Sequence, residues 1–260
     1  MNIPAAERVY ETIKVRFQET ICFLQIDRPH DNNTINLQLT AECNDVLSSC
    51  EEFATVVVLS GTPEVFCFGA DFKAVTGASA SEQEGSPGPL YDLWLRLATG
   101  PFVTISHVRG KANAGGIGFV AASDIVLADE TAQFSLSELL FGLYPACVLP
   151  FLIRRIGFQK AHYFTLMTQP ISAAQACEWG LVDAVEPVSE VLLRRHLQRL
   201  RRLSKSAIRN YKGYMSRINA PLQDMRSPAV AANRKIFSDP GNLEAISRYV
   251  ERGIFPWEKS

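Results

Sequence analysis

The residues that could do chemistry fall in three stretches. The first is Phe66-Cys67-Phe68-Gly69-Ala70-Asp71-Phe72-Lys73, after the apolar run Val56-Val57-Val58-Leu59. The second is Gly110-Lys111-Ala112-Asn113-Ala114-Gly115-Gly116-Ile117-Gly118, after Val103 to Val108. Both patterns predict a strand, a tight loop and a helix start. Such a loop points backbone N–H groups into a cleft, and the helix N-terminus adds positive potential. Two of them face to face make a hole for a developing oxyanion. The third stretch, Phe134-Ser135-Leu136-Ser137-Glu138-Leu139-Leu140-Phe141-Gly142, places one acid in an apolar run. Donor amides with a single acid/base carboxylate suit reactions that pass through an enolate. The plainer alternatives are two ordinary strand–helix turns and an exposed helix carboxylate.

The elements that must position these groups read as an α/β chain. Residues 9–27 alternate in two bursts and predict a β-hairpin. A turn cluster at 28–34 precedes a helix whose face carries Leu39, Val46, Leu47, Cys50 and Phe53. Buried strands are expected at 55–60, 103–108 and 125–128, with a last short one at 181–185. Residues 77–89 are rich in Gly, Ser and Pro and read as a loop, either a lid over the site or plain surface. A short helix over 90–97 carries Tyr91, Trp94 and Arg96. Helices are expected at 146–156 and 159–167. Ser172 to Gly180 has a serine cap at one end and glycine at the other. From about residue 189 the chain reads as helical and charged. Strand–helix alternation followed by helices alone implies an α/β core with a helical extension.

Bulk properties exclude several classes. With 260 residues, 47% of them hydrophobic, the chain can bury a real core. A net charge of -1 argues against binding nucleic acid by charge. Six cysteines are scattered without a C-x-x-C pair, as in buried free thiols of a reducing cytosol. No secretory h-region and no membrane-length apolar stretch is present, so a cytoplasmic protein is expected. His107, His162 and His196 lack metal-ligand spacing and read as structural; His30 sits in a turn. No metal is expected.

Taken in order and spacing, these motifs resemble the crotonase (enoyl-CoA hydratase/isomerase) superfamily along nearly the whole chain. They are Arg28-Pro29 with Asn33-x-x-Asn36, Phe68 to Lys73, Gly115-Gly116-Ile117-Gly118 with Ser123-Asp124-Ile125, Glu138 to Pro145, and Ala176-x-x-x-Gly180-Leu181-Val182. The stretch Pro63 to Phe72 and the ending Gly253-Ile254-Phe255-Pro256-Trp257-Glu258 are similar to dehydratases of bacterial polyketide β-branching cassettes. The resemblance implies a spiral of ββα units over residues 1–195 and a helical region over 196–260 that forms trimers, often paired into hexamers. It implies dehydration of a 3-hydroxy-3-methylglutaryl group on acyl carrier protein to a 3-methylglutaconyl group. No cofactor is implied: the phosphopantetheine thioester, on carrier protein or CoA, belongs to the substrate.

Residue by residue, the resemblance places the oxyanion amides at Ala70 and Gly115 and the acid/base at Glu138. Enoyl-CoA hydratases carry a further glutamate at the position of Gly118, so this chain departs from the two-acid pattern. Substrate contacts are expected from Tyr144, Tyr91, Gly116 and Phe68. Asp71 reads as a helix cap. Residues 191–217 hold nine Lys or Arg and no Asp or Glu. Together with Arg28 and Lys73, this run, Arg209 and Lys212 above all, is expected to meet an acidic carrier protein or phosphopantetheine phosphate; a solvated helix face or trimer ion pairs are the alternatives. Nothing aromatic interleaves there as an RNA platform needs. Decarboxylation of the glutaconyl thioester, Δ3,Δ2-enoyl-CoA isomerisation and a non-catalytic scaffold remain as competing functions.

Overall fold

The computed structural model describes residues 9–72, 87–218 and 221–258. Alternation builds the first two strands, Ile13–Gln18 (β1) and Ile21–Ile26 (β2), which pair antiparallel around a turn at Glu19. The continuous apolar runs become Val56–Ser60 (β3), Val103–Val108 (β5) and Ile125–Ala128 (β7). Each is followed by a three-residue strand: Val65–Cys67 (β4), Lys111–Asn113 (β6) and Gln133–Ser135 (β8). Two-residue strands at Ile171–Ser172 (β9) and Ala184–Val185 (β10) are the last among the described residues.

The long runs and the three-residue strands part company into two sheets. One sheet has the order β1-β2-β3-β5-β7-β10, parallel from β2 onward, and the other has β4-β6-β8-β9. The sequence reading has no strand at β4, β6 or β8, and assigns Lys111–Asn113 to the glycine loop. Three residues are too few for period two to declare itself. The chain thus winds as a spiral, each turn laying one strand in the large sheet and one in the small.

The described helices are Leu37–Phe53 (α1), Gly88–Thr99 (α2), Gly115–Ala122 (α3), Leu149–Met167 (α4), Ala173–Glu178 (α5), Ser189–Leu200 (α6), Lys205–Ile218 (α7), Pro221–Asp224 (α8), Arg226–Phe237 (α9) and Pro240–Arg252 (α10). The Asn36 side chain caps α1 by accepting from Leu39 N at 2.8 Å. In α4 the helix breaks at Gly157, whose φ is 77°. The Ser172 cap of α5 is present, 3.2 Å from Gln175 N. The residue 195/196 boundary falls inside α6, whose Leu192 and Leu197 bury against Val56, Val58, Ile105 and Leu127 of the large sheet. Most of the expected lid loop lies outside the described residues; its last members, Gly88 and Pro89, open α2. Among the described residues no helix is long and apolar enough to cross a membrane.

Candidate active site

The small sheet positions the chemistry. Its strands β4, β6 and β8 are neighbours and run parallel, so their C-terminal ends lie side by side at a spacing of about 4.8 Å. Ala70 follows β4 by three residues, Gly115 follows β6 by two, and Glu138 follows β8 by three. Three successive turns of the spiral therefore deliver two amides and one carboxyl group to the same edge.

Close packing of glycines brings the two amides together. Gly69 has φ of 90°, and a Cβ there would lie 2.7 Å from the Ala114 Cβ and 3.1 Å from Gly115 N. From the other side, a Cβ on Gly115 would lie 3.8 Å from Ala70 N. Gly116 approaches Cys67, with a hypothetical Cβ 2.2 Å from the Cys67 carbonyl oxygen. Side chains at these positions would force the two loops apart.

Ile35, which sequence reasoning missed, braces both donors. Its N–H donates to Gly69 O at 2.7 Å, and its carbonyl accepts from Asp71 N at 3.0 Å. These bonds hold the peptides on either side of Ala70 and leave the Ala70 N–H facing away from Ile35. The Ile35 Cδ1 sits 3.0 Å from the place a Gly115 Cβ would take. Ala114, also unmarked by sequence, has φ of 51° and ψ of -120°, a costly conformation for a residue with a Cβ. It turns the chain abruptly from β6 into α3. Its carbonyl accepts from Ile117 N at 2.9 Å, while neither Ala70 N nor Gly115 N has an acceptor among the described backbone bonds.

The motif Arg28…Asn33-x-x-Asn36 serves this first loop. Arg28 donates to Asp71 at 3.0 Å, Asp31 at 3.1 Å and Thr34 Oγ1 at 3.1 Å. Fully buried Asn33 accepts from Arg28 N at 2.8 Å and donates to Val65 O at 2.7 Å. Arg28, expected to meet phosphopantetheine, is therefore spent on holding the loop that carries Ala70. Asp71 is its ion-pair partner.

Glu138 opens a short 3-10 turn, Glu138–Phe141, closed by Gly142 at φ of 73°. Its Oε2 is buried without a hydrogen-bond partner. Burial pushes its carboxyl group up to about 7, against a smaller opposing pull from the Glu138 and Ser137 amides. Such a group takes and returns a proton near neutral pH. Asn113 ties this turn to the loop that carries Gly115: it accepts from Ser135 Oγ at 2.7 Å and donates to Ser137 Oγ at 3.0 Å.

The apolar wall behind Glu138 comes from the C-terminal helices. Phe141, Leu143 and Ala146 pack with Ile236 and Ile246, and the Phe141 ring meets Phe72, Tyr249 and Phe255. Gly142 lies against Asn242 of α10, where a Cβ would be 2.3 Å from Oδ1.

Other expected contacts fall elsewhere. Tyr91 is core: it is fully buried, its hydroxyl donates to Leu222 O at 2.6 Å, and its ring packs on Phe151. It is not placed to meet substrate. Lys212 is 5% exposed and forms an ion pair with Asp124, so it does not offer a surface cation. Lys205 is likewise turned inward, donating to Ala54 O and Pro101 O at 2.6 Å each. Arg209 stays half exposed, 3.5 Å from Glu52. Tyr144 and Phe68 expose part of their rings. Phe68 borders a pocket of about 160 Å³ with Lys111, Gln133, Ser135 and Pro170. Lys73 lies outside the described residues. His107 is structural, its Nε2 2.7 Å from Ser189 Oγ.

The Enoyl-CoA hydratase/isomerase family model matches residues 16–260. The chain belongs to the enoyl-CoA hydratase/isomerase family. It is an enzyme with the crotonase fold. Among relatives in this family, it is 61% identical over 252 residues to bacillaene synthase dehydratase PksH of Bacillus subtilis, covering 96% of this chain and 97% of that protein. The crystal structure of a Bacillus subtilis protein described as a polyketide biosynthesis enoyl-CoA hydratase (pksH) matches with a TM-score of 0.91 and 59% identity, over 95% of this chain and all of that one. Mevalonyl-coenzyme A hydratase sidH of Aspergillus fumigatus is 34% identical over 178 residues, 66% of this chain and 65% of that protein. Measured against the two-acid hydratase pattern, Gly118 has no space for an acid: even a Cβ would lie 2.3 Å from the Trp94 ring.

Proposed function

We propose that this enzyme dehydrates a 3-hydroxy-3-methylglutaryl thioester held on acyl carrier protein, giving the 3-methylglutaconyl thioester. The observation that carries the reading is one carboxyl group with a buried, unpartnered oxygen, tuned near neutrality and delivered beside two donor amides, with no room for a second acid at Gly118. The 61% identical relative described as a bacillaene synthase dehydratase supports the reaction class. The mevalonyl-coenzyme A hydratase supports the substrate class, since mevalonyl is also a 3-hydroxy-3-methyl acyl group.

The thioester oxygen accepts from Ala70 N–H and Gly115 N–H. Ionised Glu138 takes a proton from C2, and the electron pair is held as the enolate at the two amides. The enolate collapses to a C2–C3 double bond, and the C3–O bond breaks with its electrons on oxygen. Protonated Glu138 returns its proton to that oxygen, and water leaves. A tertiary C3 eases loss of the hydroxyl, so one carboxyl group serves both proton transfers. Losing one oxyanion donor typically costs about 3–4 kcal/mol of barrier. The chemistry uses no cofactor beyond the substrate's own thioester carrier.

Intact-mass analysis of the loaded carrier protein tests the reading. Loss of one water is expected. Loss of carbon dioxide would assign decarboxylation, and an unchanged mass would reject dehydration.

A further inference from the structure

Trp94 of α2 has its ring locked in place. It meets Phe119 and Phe151 edge-on, with centroids at 5.9 and 6.0 Å, and is 1% exposed. Its Cζ2, Cε2 and Cη2 lie 2.3, 2.5 and 2.6 Å from where a Gly118 Cβ would be. Gly118 sits one helical turn along α3 from the donor Gly115, so the two share a face. The indole nitrogen is bonded to Cε2, one of the atoms against that face.

That nitrogen, Nε1, is buried and donates to nothing. A buried indole N–H ordinarily finds an acceptor, because leaving it unmade costs stability. Among the described residues three buried side-chain polar atoms lack partners: Trp94 Nε1, Glu138 Oε2 and Arg248 Nε. One is the acid of the site, and another borders the helix that supplies the second amide. An open donor beside the helix that begins at Gly115 is the pattern expected of a group reserved for a ligand.

We propose that the Trp94 indole N–H donates a hydrogen bond to an oxygen of the bound acyl chain beyond C2. This rests on the dehydratase reading above. The acyl chain has two such oxygen acceptors, the departing 3-hydroxyl and the distal carboxylate. An indole N–H donates without surrendering its proton. Glu138 therefore remains the proton carrier, and Trp94 holds the oxygen in place as the C3–O bond breaks or as the chain is seated.

Trp94→Phe keeps a flat ring and removes the donor. It is assayed beside wild type on carrier protein bearing 3-hydroxy-3-methylglutaryl or 3-hydroxy-3-methylbutyryl groups, the latter without the distal carboxylate. The expected result is a tenfold or greater loss of kcat/KM, with the ascending pH limb set by Glu138 unmoved. A loss on both substrates assigns the hydroxyl; a loss confined to the glutaryl group assigns the carboxylate. Wild-type rates within twofold on both would overturn the proposal while leaving the dehydratase reading intact. An inert wild type would instead sink both.

If the variant does not fold, the three tryptophan N–H resonances of a Glu138→Gln protein provide the second test. The 3-hydroxy-3-methylglutaryl carrier should shift one of them downfield relative to unloaded carrier. No shift in any of the three would overturn the assignment.

Discussion

At the scale of residues, the site is built by exclusion as much as by addition. Glu138 keeps an unpartnered oxygen because its surroundings are apolar, and that burial holds its carboxyl group near 7. For the proposed proton abstraction it must be ionised, so kcat/KM should rise with pH through about 7 in a steady-state profile. The same shift has a cost in stability, with its sign fixed by linkage. Below the unfolded value of 4.5 the group is protonated in both states. As pH rises through about 7, the folded state must hold a buried charge and loses stability. Chemical denaturation should therefore find Glu138→Gln as stable as wild type at pH 4. At pH 8 it should be more stable, by up to about 3 kcal/mol. Gly69 presents the opposite case, where nothing can be added. Its φ of 90° and the 2.7 Å approach to Ala114 leave no place for a methyl group. Gly69→Ala should cut kcat at least a hundredfold, about 2.7 kcal/mol of barrier, because it pushes the two amides apart.

At the scale of elements, the short helix α3 carries the second amide, and its far end is held by buried charge. Arg154 donates to Ala121 O at 3.0 Å and Arg155 to Ser123 O at 2.9 Å, which sets cations at the negative end of the helix dipole. Just beyond, Asp124 receives Thr104 N at 2.9 Å and the Lys212 ammonium at 2.5 Å. Asp124→Ala strands that ammonium and should cost about 3–5 kcal/mol in urea unfolding. The double change Asp124→Asn with Lys212→Met should lie close to wild type, since it removes both charges together. These are the contacts that sequence reading misplaces. Nine cations in 27 residues look like an exposed patch, yet Lys205 and Lys212 are the partners of carbonyls and a carboxylate laid down 88 to 151 residues earlier. Tyr91 misleads in the same way, because its hydroxyl partner, Leu222 O, is 131 residues distant. The loops are legible for the converse reason. Glycine needed for close approach leaves a mark in sequence, whereas Ile35 and Ala114 do their work through backbone geometry that any apolar or small residue could signal.

At the scale of the whole molecule, the spiral explains why distant segments share one edge, and the C-terminal helices explain why that edge is apolar. Long runs such as Val103–Val108 reveal the large sheet; the small sheet, which does the positioning, is hidden in three-residue strands. The C-terminal residues reach back to the Glu138 turn. Phe255 packs on Tyr249 at 4.9 Å and on Phe141 at 6.0 Å, one turn from Glu138. Phe255→Ala should therefore lower kcat about tenfold with little change in KM. Phe17→Ala, which removes a ring paired with Phe53 far from the site, should cost stability and leave kcat alone. In the proposed dehydration one carboxyl group carries the proton in both directions. Single-turnover dehydration of 3-hydroxy-3-methylglutaryl carrier protein by Glu138→Gln, followed by intact mass, tests it most directly. A rate at least a thousandfold below wild type is expected, with carrier binding retained; a rate within tenfold of wild type would exclude Glu138 as the proton carrier.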